Sequence, residues 1–324
     1  MFIENAYKAL HKPWMYLVGV LVSFFASQVG GVFLLFFVAK KIMVEGGELE
    51  SITNPSVMMN TLNANATFFW MIFGFAIGLA ILLLFVKKIH KQKLKDLTTT
   101  RRKIDWKRIG FGFMLIAIPS VIITLIDFYI QPEDYILQFE IKSFLVLLLI
   151  AVLFIPLQTS YEEYLFRGYL MQGIGINGKS RGLALIGTSV IFGMLHFFNP
   201  EMQMLGNGLM IYYIGTGLLL GIMTLMDEGM ELALGYHAGN NLIIALLVTT
   251  DWGVFQTPSI LKDISEPSMG AEVLVTVLVL YPVFLFILAK KYKWTGYKEK
   301  LFGNIEKPKL EIKNELESKD TPQF

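Results

Sequence analysis

The chain of 324 residues contains no cysteine. That excludes disulfides, thiolate metal ligands and a cysteine nucleophile, and it leaves the redox compartment open. No HExxH pattern occurs, so two imidazoles and a carboxylate are not set on one helical face in the manner of a zinc peptidase. Histidine is scarce, with only His11, His90, His196 and His237. The first apolar run, from Met15, is about 25 residues long against roughly 7 to 15 for a signal-peptide core, and no convincing small-residue cleavage site follows. It is expected to be a retained span.

What the sequence has in abundance is apolar surface. It is 54% hydrophobic, with a mean hydropathy of +0.56, and its apolar runs reach the ~20 residues needed to cross a bilayer. These values exclude a soluble domain. They predict an all-α polytopic membrane bundle of about eight transmembrane helices, over 14–39, 68–89, 109–130, 143–172, 182–198, 209–226, 231–250 and 272–289. Residues 1–300 read as a single bundle with a catalytic core at about 143–250, and 301–324 as a charged, solvated cytoplasmic tail. Trp14, Trp70, Trp106, Trp252 and Trp294 fall near proposed span ends, where amphipathic rings prefer to sit.

The charges are unevenly distributed. With both termini on one side, that side holds Lys8 and Lys12, ten Lys/Arg from Lys87 to Arg108, Lys179 and Arg181, and nine lysines from Lys290 onward. The other side holds only Lys40, Lys41, Lys142 and Lys262. This bias predicts a multi-pass protein of the cell membrane with both termini cytoplasmic. The basic segment from Lys87 to Arg108 abuts two spans and has few aromatics, so it reads as a topology-setting loop facing lipid rather than a nucleic-acid patch. His11 and His90 lie in basic flanks and read as surface residues, and Asp127 as a packing or snorkelling residue at a helix end.

Against this background, the stretch Tyr161, Glu162, Glu163, Tyr164, Leu165, Phe166, Arg167 stands out. An ionisable group at bilayer depth costs roughly 3 kcal/mol or more unless it is paired or faces a wet cavity, so three together predict a functional site. Positions four apart share a helix face. Glu163 is therefore expected to pair with Arg167 while Glu162 points about 100° away and stays free. A carboxylate in a half-dry site is raised toward neutrality, where it can take a proton from water. Phe192 and His196 are one helical turn apart, as are His237 and Asn241, and Phe192 taken alone reads as packing. The stretch GIGINGKSRG, 173–182, reads as the turn between the fourth and fifth helices. It would bring Glu162 and His196 to a similar depth, roughly 25 Å from the turn. Gly235 and Gly239 form a GxxxG spacing that predicts close helix contact.

In these residues the chain resembles the CPBP intramembrane proteases, the family of CAAX proteases and bacteriocin-processing enzymes also called the abortive-infection family. Its three signatures, EExxxR, FxxxH and HxxxN, stand here in order as Glu162, Glu163 and Arg167, as Phe192 and His196, and as His237 and Asn241. The resemblance implies a membrane-embedded endopeptidase with a cavity open to the cytosol. It implies that Glu162, helped by His196, activates the attacking water and that His237 and Asn241 stabilise the oxyanion. Glu163, Arg167 and Phe192 would support the site. The expected partners are membrane lipid and a peptide or protein substrate, lipidated for some relatives, with no nucleic acid.

No cofactor is expected. The alternative is a zinc-dependent version of the same peptidase with Glu162, His196 and His237 as ligands and one open position. Two readings of another class are a proton-coupled transporter, for which the chain lacks an inverted repeat of broken spans, and a non-catalytic bacteriocin-immunity protein.

Overall fold

A computed structural model of the protein describes residues 1–308. Among the described residues, seven helices are long and apolar enough to cross a membrane. They are α1 (Pro13–Val44), α2 (Ala64–Lys88), α3 (Trp106–Ile130), α4 (Ile141–Gly178), α5 (Arg181–Phe198), α6 (Asn207–Asp227) and α8 (Glu272–Tyr292). The remaining predicted span, the seventh at 231–250, is α7, the 17-residue helix Glu231–Leu247. At ~1.5 Å per residue it is a few ångströms short of a ~30 Å hydrocarbon layer. Its predicted last turn is instead strand β2 (Val248–Thr250), a β-branched triplet that favours extended backbone.

The chain is thus a multi-pass membrane helical bundle. Leu17, Phe25, Leu149 and Phe286 are among the exposed apolar side chains that would meet lipid. The N-terminus and the last described residues lie at one end, where the short helix Ile3–Lys8 packs on the last turns of α4 and the Ile305 backbone N–H donates to the Lys179 carbonyl oxygen. At the opposite end a small sheet, absent from the sequence reading, joins the loops. Strand β3 (Leu261–Asp263) runs parallel to β2 and antiparallel to β1 (Tyr135–Leu137). Asp127, at the end of α3, accepts a hydrogen bond from the Tyr135 hydroxyl and so ties that helix to the sheet.

Glycines set the closest helix contacts. A Cβ on Gly239 would sit 2.7 Å from the Phe113 carbonyl oxygen, and one on Gly235 would collide with that of Ile109, so the GxxxG spacing packs α7 directly on the α3 backbone. The predicted turn over 173–182 is corrected. Residues through Gly178 continue α4, and the chain reverses at Lys179, whose φ is +52°. Gly173 and Gly175 are there for close approach, because Cβ atoms at these positions would lie 2.5 Å from the Tyr16 ring and 2.7 Å from Ile3. Residues 301–308 are not a free tail. Leu301 packs against the core and Ile305 is buried in it; 309–324 lie outside the described residues.

Two arginines of the predicted topology loop do more than face lipid headgroups. Arg101 pairs with Asp227 (2.7 Å) and Glu231 (3.1 Å), and Arg108 with Asp227 (3.1 Å), which clamps the α6–α7 turn. His90 is also corrected, being 1% exposed rather than on the surface. Its Nδ1 lies 2.6 Å from the Leu10 carbonyl oxygen and its Nε2 2.8 Å from the Tyr169 hydroxyl. Burial lowers its pKa below the ordinary 6.5. Below that value the unfolded chain binds a proton that folded His90 resists, so its contribution to stability is complete above pH 6.5 and lost as the pH falls through the lowered folded value. Thermal midpoints measured from pH 7.5 down to 5 should therefore fall for the wild type and fall less steeply for His90→Gln.

Candidate active site

The site is built on the middle of α4, which contains Pro156 and widens into a π-type turn over Tyr164–Leu170. Such widened turns are frequent where a helix must aim side chains at a functional site. Glu163 and Arg167 are both essentially unexposed, and Arg167 Nη1 donates to Glu163 Oε1 at 2.9 Å. The other guanidinium nitrogen donates to the Gly217 carbonyl oxygen on α6 at 3.3 Å. The guanidinium also lies 4.4 Å from the centre of the Phe192 ring. Phe192 on α5 is therefore a cation–π partner as well as packing.

His237 on α7 sits between the two carboxylates. Its Nδ1 is 2.7 Å from Glu163 Oε1 and its Nε2 is 3.5 Å from Glu162 Oε2. A carboxylate only accepts, so the shorter contact places a proton on Nδ1 and turns Nε2 toward Glu162. Glu162 Oε1 accepts a 2.6 Å hydrogen bond from Gln158 Nε2. Gln158 Oε1 accepts from Asn241 Nδ2 at 3.1 Å, and Asn241 Oδ1 from Asn240 Nδ2 at 3.1 Å. A line of three amides thus runs across α7 and α4 and ends on Glu162.

His196, near the end of α5, faces the same space differently. Its Nδ1 donates to the Phe192 carbonyl oxygen at 2.8 Å, and its ring stacks on Tyr213 with centroids 4.3 Å apart. The Tyr213 hydroxyl donates to Glu201 Oε1 at 2.9 Å. Among the described residues it is His237, and not His196, that approaches Glu162.

These groups line one cavity of about 660 Å³. Its polar wall holds Glu162, His196, His237, Asn241 and Gln158, and its apolar wall includes Phe24, Ile72, Phe75 and Phe255. The seven sequence-predicted residues come together here, with Arg167 packed behind Glu163. Sequence reasoning missed Gln158, Asn240, Tyr213 and Glu201. The available signals were Gln158's position one turn before Glu162 and Asn240's place beside Asn241. Tyr213 and Glu201 offered none. As for a metal, no three His, Asp or Glu side chains among the described residues converge as a metal site requires. The set Glu162, His196 and His237 does not fit a zinc ion in this arrangement.

Comparison with known proteins points the same way. Residues 141–243 match the family of Rce1-like proteins, described as type II CAAX prenyl endopeptidase Rce1-like. A Bacillus subtilis (strain 168) protein, the uncharacterized YyaK, is 35% identical over 174 residues. That match covers 52% of this chain and 57% of YyaK, so the chain spans little more than half of that relative's length. No solved structure matches the chain. The matched segment contains both glutamates, Arg167, Phe192, both cavity histidines and Asn241, so it is the part of the chain that carries the candidate site that is similar to the Rce1-like family.

Proposed function

We propose that the protein is an intramembrane endopeptidase in which Glu162 is the base. A water in the cavity gives a proton to Glu162, and its oxygen bonds to the scissile carbonyl carbon as that carbonyl becomes a tetrahedral oxyanion. Asn241 uses one amide hydrogen on Gln158 and has a second to offer the oxyanion. A donor so placed in a water-poor site is worth ~3 kcal/mol. The proton on Glu162 passes through His237 Nε2 to the leaving amine as the C–N bond breaks. His196, with Nδ1 committed to Phe192, accepts a hydrogen bond from the attacking water at Nε2. This assignment moves His237 from oxyanion holder to proton carrier, because its Nδ1 hydrogen is held by Glu163. Glu163 and Arg167 position the imidazole and do not touch the substrate.

The observation that supports this reading best is the contrast between neighbours: Glu163 is closed in by Arg167 and His237, while Glu162 opens on the cavity. The charge bias supports an orientation with both termini in the cytoplasm of a cell membrane. The apolar wall suits an apolar peptide segment or a lipidated one. The test uses the purified protein in liposomes with a library of apolar peptides in H₂¹⁸O. One ¹⁸O in each new carboxyl terminus, with turnover that survives a strong chelator, is the expected result. Activity lost to the chelator and restored by zinc would overturn the metal-free assignment.

A further inference from the structure

We propose that Tyr213, anchored by Glu201, is a positioning residue that fixes the His196 imidazole in the cavity, so that the segment just after α5 sets the geometry of water attack without touching the reacting atoms. This rests on the peptidase reading for the role of His196. The placement of the ring, however, can be measured without turnover.

His196 stands where its own helix supports it least. The regular part of α5 ends at Leu195, His196–Phe198 form one tighter turn, and Asn199 is extended. Helix ends fray, so an imidazole placed there needs a brace from another element. Its Nδ1 hydrogen bond to the Phe192 carbonyl oxygen fixes one nitrogen but lets the ring tilt about that bond. The Tyr213 ring, on α6, removes that freedom, with its centroid 4.3 Å from that of the imidazole and the two planes 24° from parallel. Phe192 lies 4.6 Å from the same imidazole and 6.1 Å from that of His237. Tyr213, His196, Phe192 and His237 thus form one row of rings in contact. With Nδ1 bonded back to the helix and a face covered by Tyr213, Nε2 is the nitrogen that His196 presents to the cavity it lines.

Tyr213 is in turn tied to the chain just beyond His196. Its hydroxyl donates to Glu201 Oε1 at 2.9 Å and accepts a longer bond, 3.4 Å, from Asn199 Nδ2. Glu201 lies in the first turn of the short helix Pro200–Leu205, so the contacts close a ring: backbone from His196 to Glu201, hydrogen bond from Glu201 to Tyr213, stacked faces from Tyr213 back to His196. The other carboxylate oxygen, Glu201 Oε2, is buried with no hydrogen-bond partner, which is costly. A carboxylate acceptor makes the shorter and stronger kind of hydrogen bond, so an acid here holds the phenol more firmly than a neutral amide would. Tight anchoring of Tyr213 offsets the unpartnered oxygen.

The scarcity of histidine makes the test direct. The full chain labelled with ¹³C at histidine Cε1 should give one resonance for each of its four histidines, and His196→Gln identifies that of His196. A ring stacked at 4.3 Å moves the resonance of the imidazole proton it covers upfield. That displacement should vanish in Tyr213→Leu and largely remain in Tyr213→Phe, while unmoved His11 and His90 resonances report that the fold is kept. With the peptide library, Tyr213→Leu should lower kcat by ~10²-fold, the effect of misplacing a catalytic group by about 1 Å, at nearly unchanged KM. Glu201→Ala should lower it less, and Glu201→Gln should restore part of that loss. A His196 resonance that stays in place in Tyr213→Leu overturns the proposal. Should that variant not fold, Glu201→Ala decides, since its His196 resonance should move in the same direction and an unmoved one overturns the proposal equally. A raised KM with kcat intact would make Tyr213 a substrate contact and not a positioning residue. If the wild type cuts no peptide, the peptidase reading falls, and the resonances still decide whether Tyr213 holds the imidazole.

Discussion

Glu162→Gln should lower peptide hydrolysis by about three orders of magnitude, the middle to upper part of what a positioned general base contributes, while the protein stays folded. Glutamine keeps the shape and can still accept the hydrogen bond from Gln158 Nε2 at 2.6 Å, so the amide line toward Asn241 survives. What it loses is the ability to take a proton from water. Glu162 is partly exposed to the cavity and makes only a 3.5 Å approach to His237, so little stability depends on its charge. The measurement is turnover in liposomes alongside the thermal midpoint. A variant that retains wild-type turnover removes Glu162 as the base, whatever the midpoint does. In cells, comparative proteomics of wild type against this variant would reveal the peptide or membrane protein that fails to mature.

Arg167→Met should be the opposite kind of variant, destabilised by about 3 to 5 kcal/mol because it strands a buried carboxylate. Glu163 is unexposed, and its charge is met by Arg167 at 2.9 Å on one side and His237 at 2.7 Å on the other. Removing the guanidinium also frees the Gly217 carbonyl oxygen and the Phe192 ring. The double variant Glu163→Leu with Arg167→Met removes both charges and should regain part of the midpoint. It should regain no turnover, because His237 Nδ1 then has no acceptor to fix its orientation. Wild-type stability in Arg167→Met would show that the pair contributes little. Restored turnover in the double variant would show that Glu163 does not position the imidazole.

Much of this was legible in the sequence because it depends on local spacing. A helix places residues four apart on one face, and that alone ties Glu163 to Arg167 and turns Glu162 elsewhere. Apolar runs of spanning length marked the bundle, and GxxxG marked a close helix contact, whose partner α3 only the structure identifies. Other features depend on residues distant in sequence. The environment of His90 is made by Leu10 and Tyr169, about eighty positions away on either side, so its basic flank misleads. Gln158 resembles any polar residue within a span until Asn241 arrives from α7. The glycines of 173–178 look like turn residues because sequence does not show that Tyr16 and Ile3 press on them.

The shortness of α7 has a consequence for what can be cut. Strand β2 starts at Val248, seven positions past Asn241, or ~10 Å at helical rise. On the proposed peptidase mechanism, a scissile bond would sit beneath a shallow vestibule, and a substrate would need to be pulled only a short way below the headgroups. Cleavage points should cluster at the juxtamembrane edge of the target polypeptide and be sparse at the centre of its hydrophobic span.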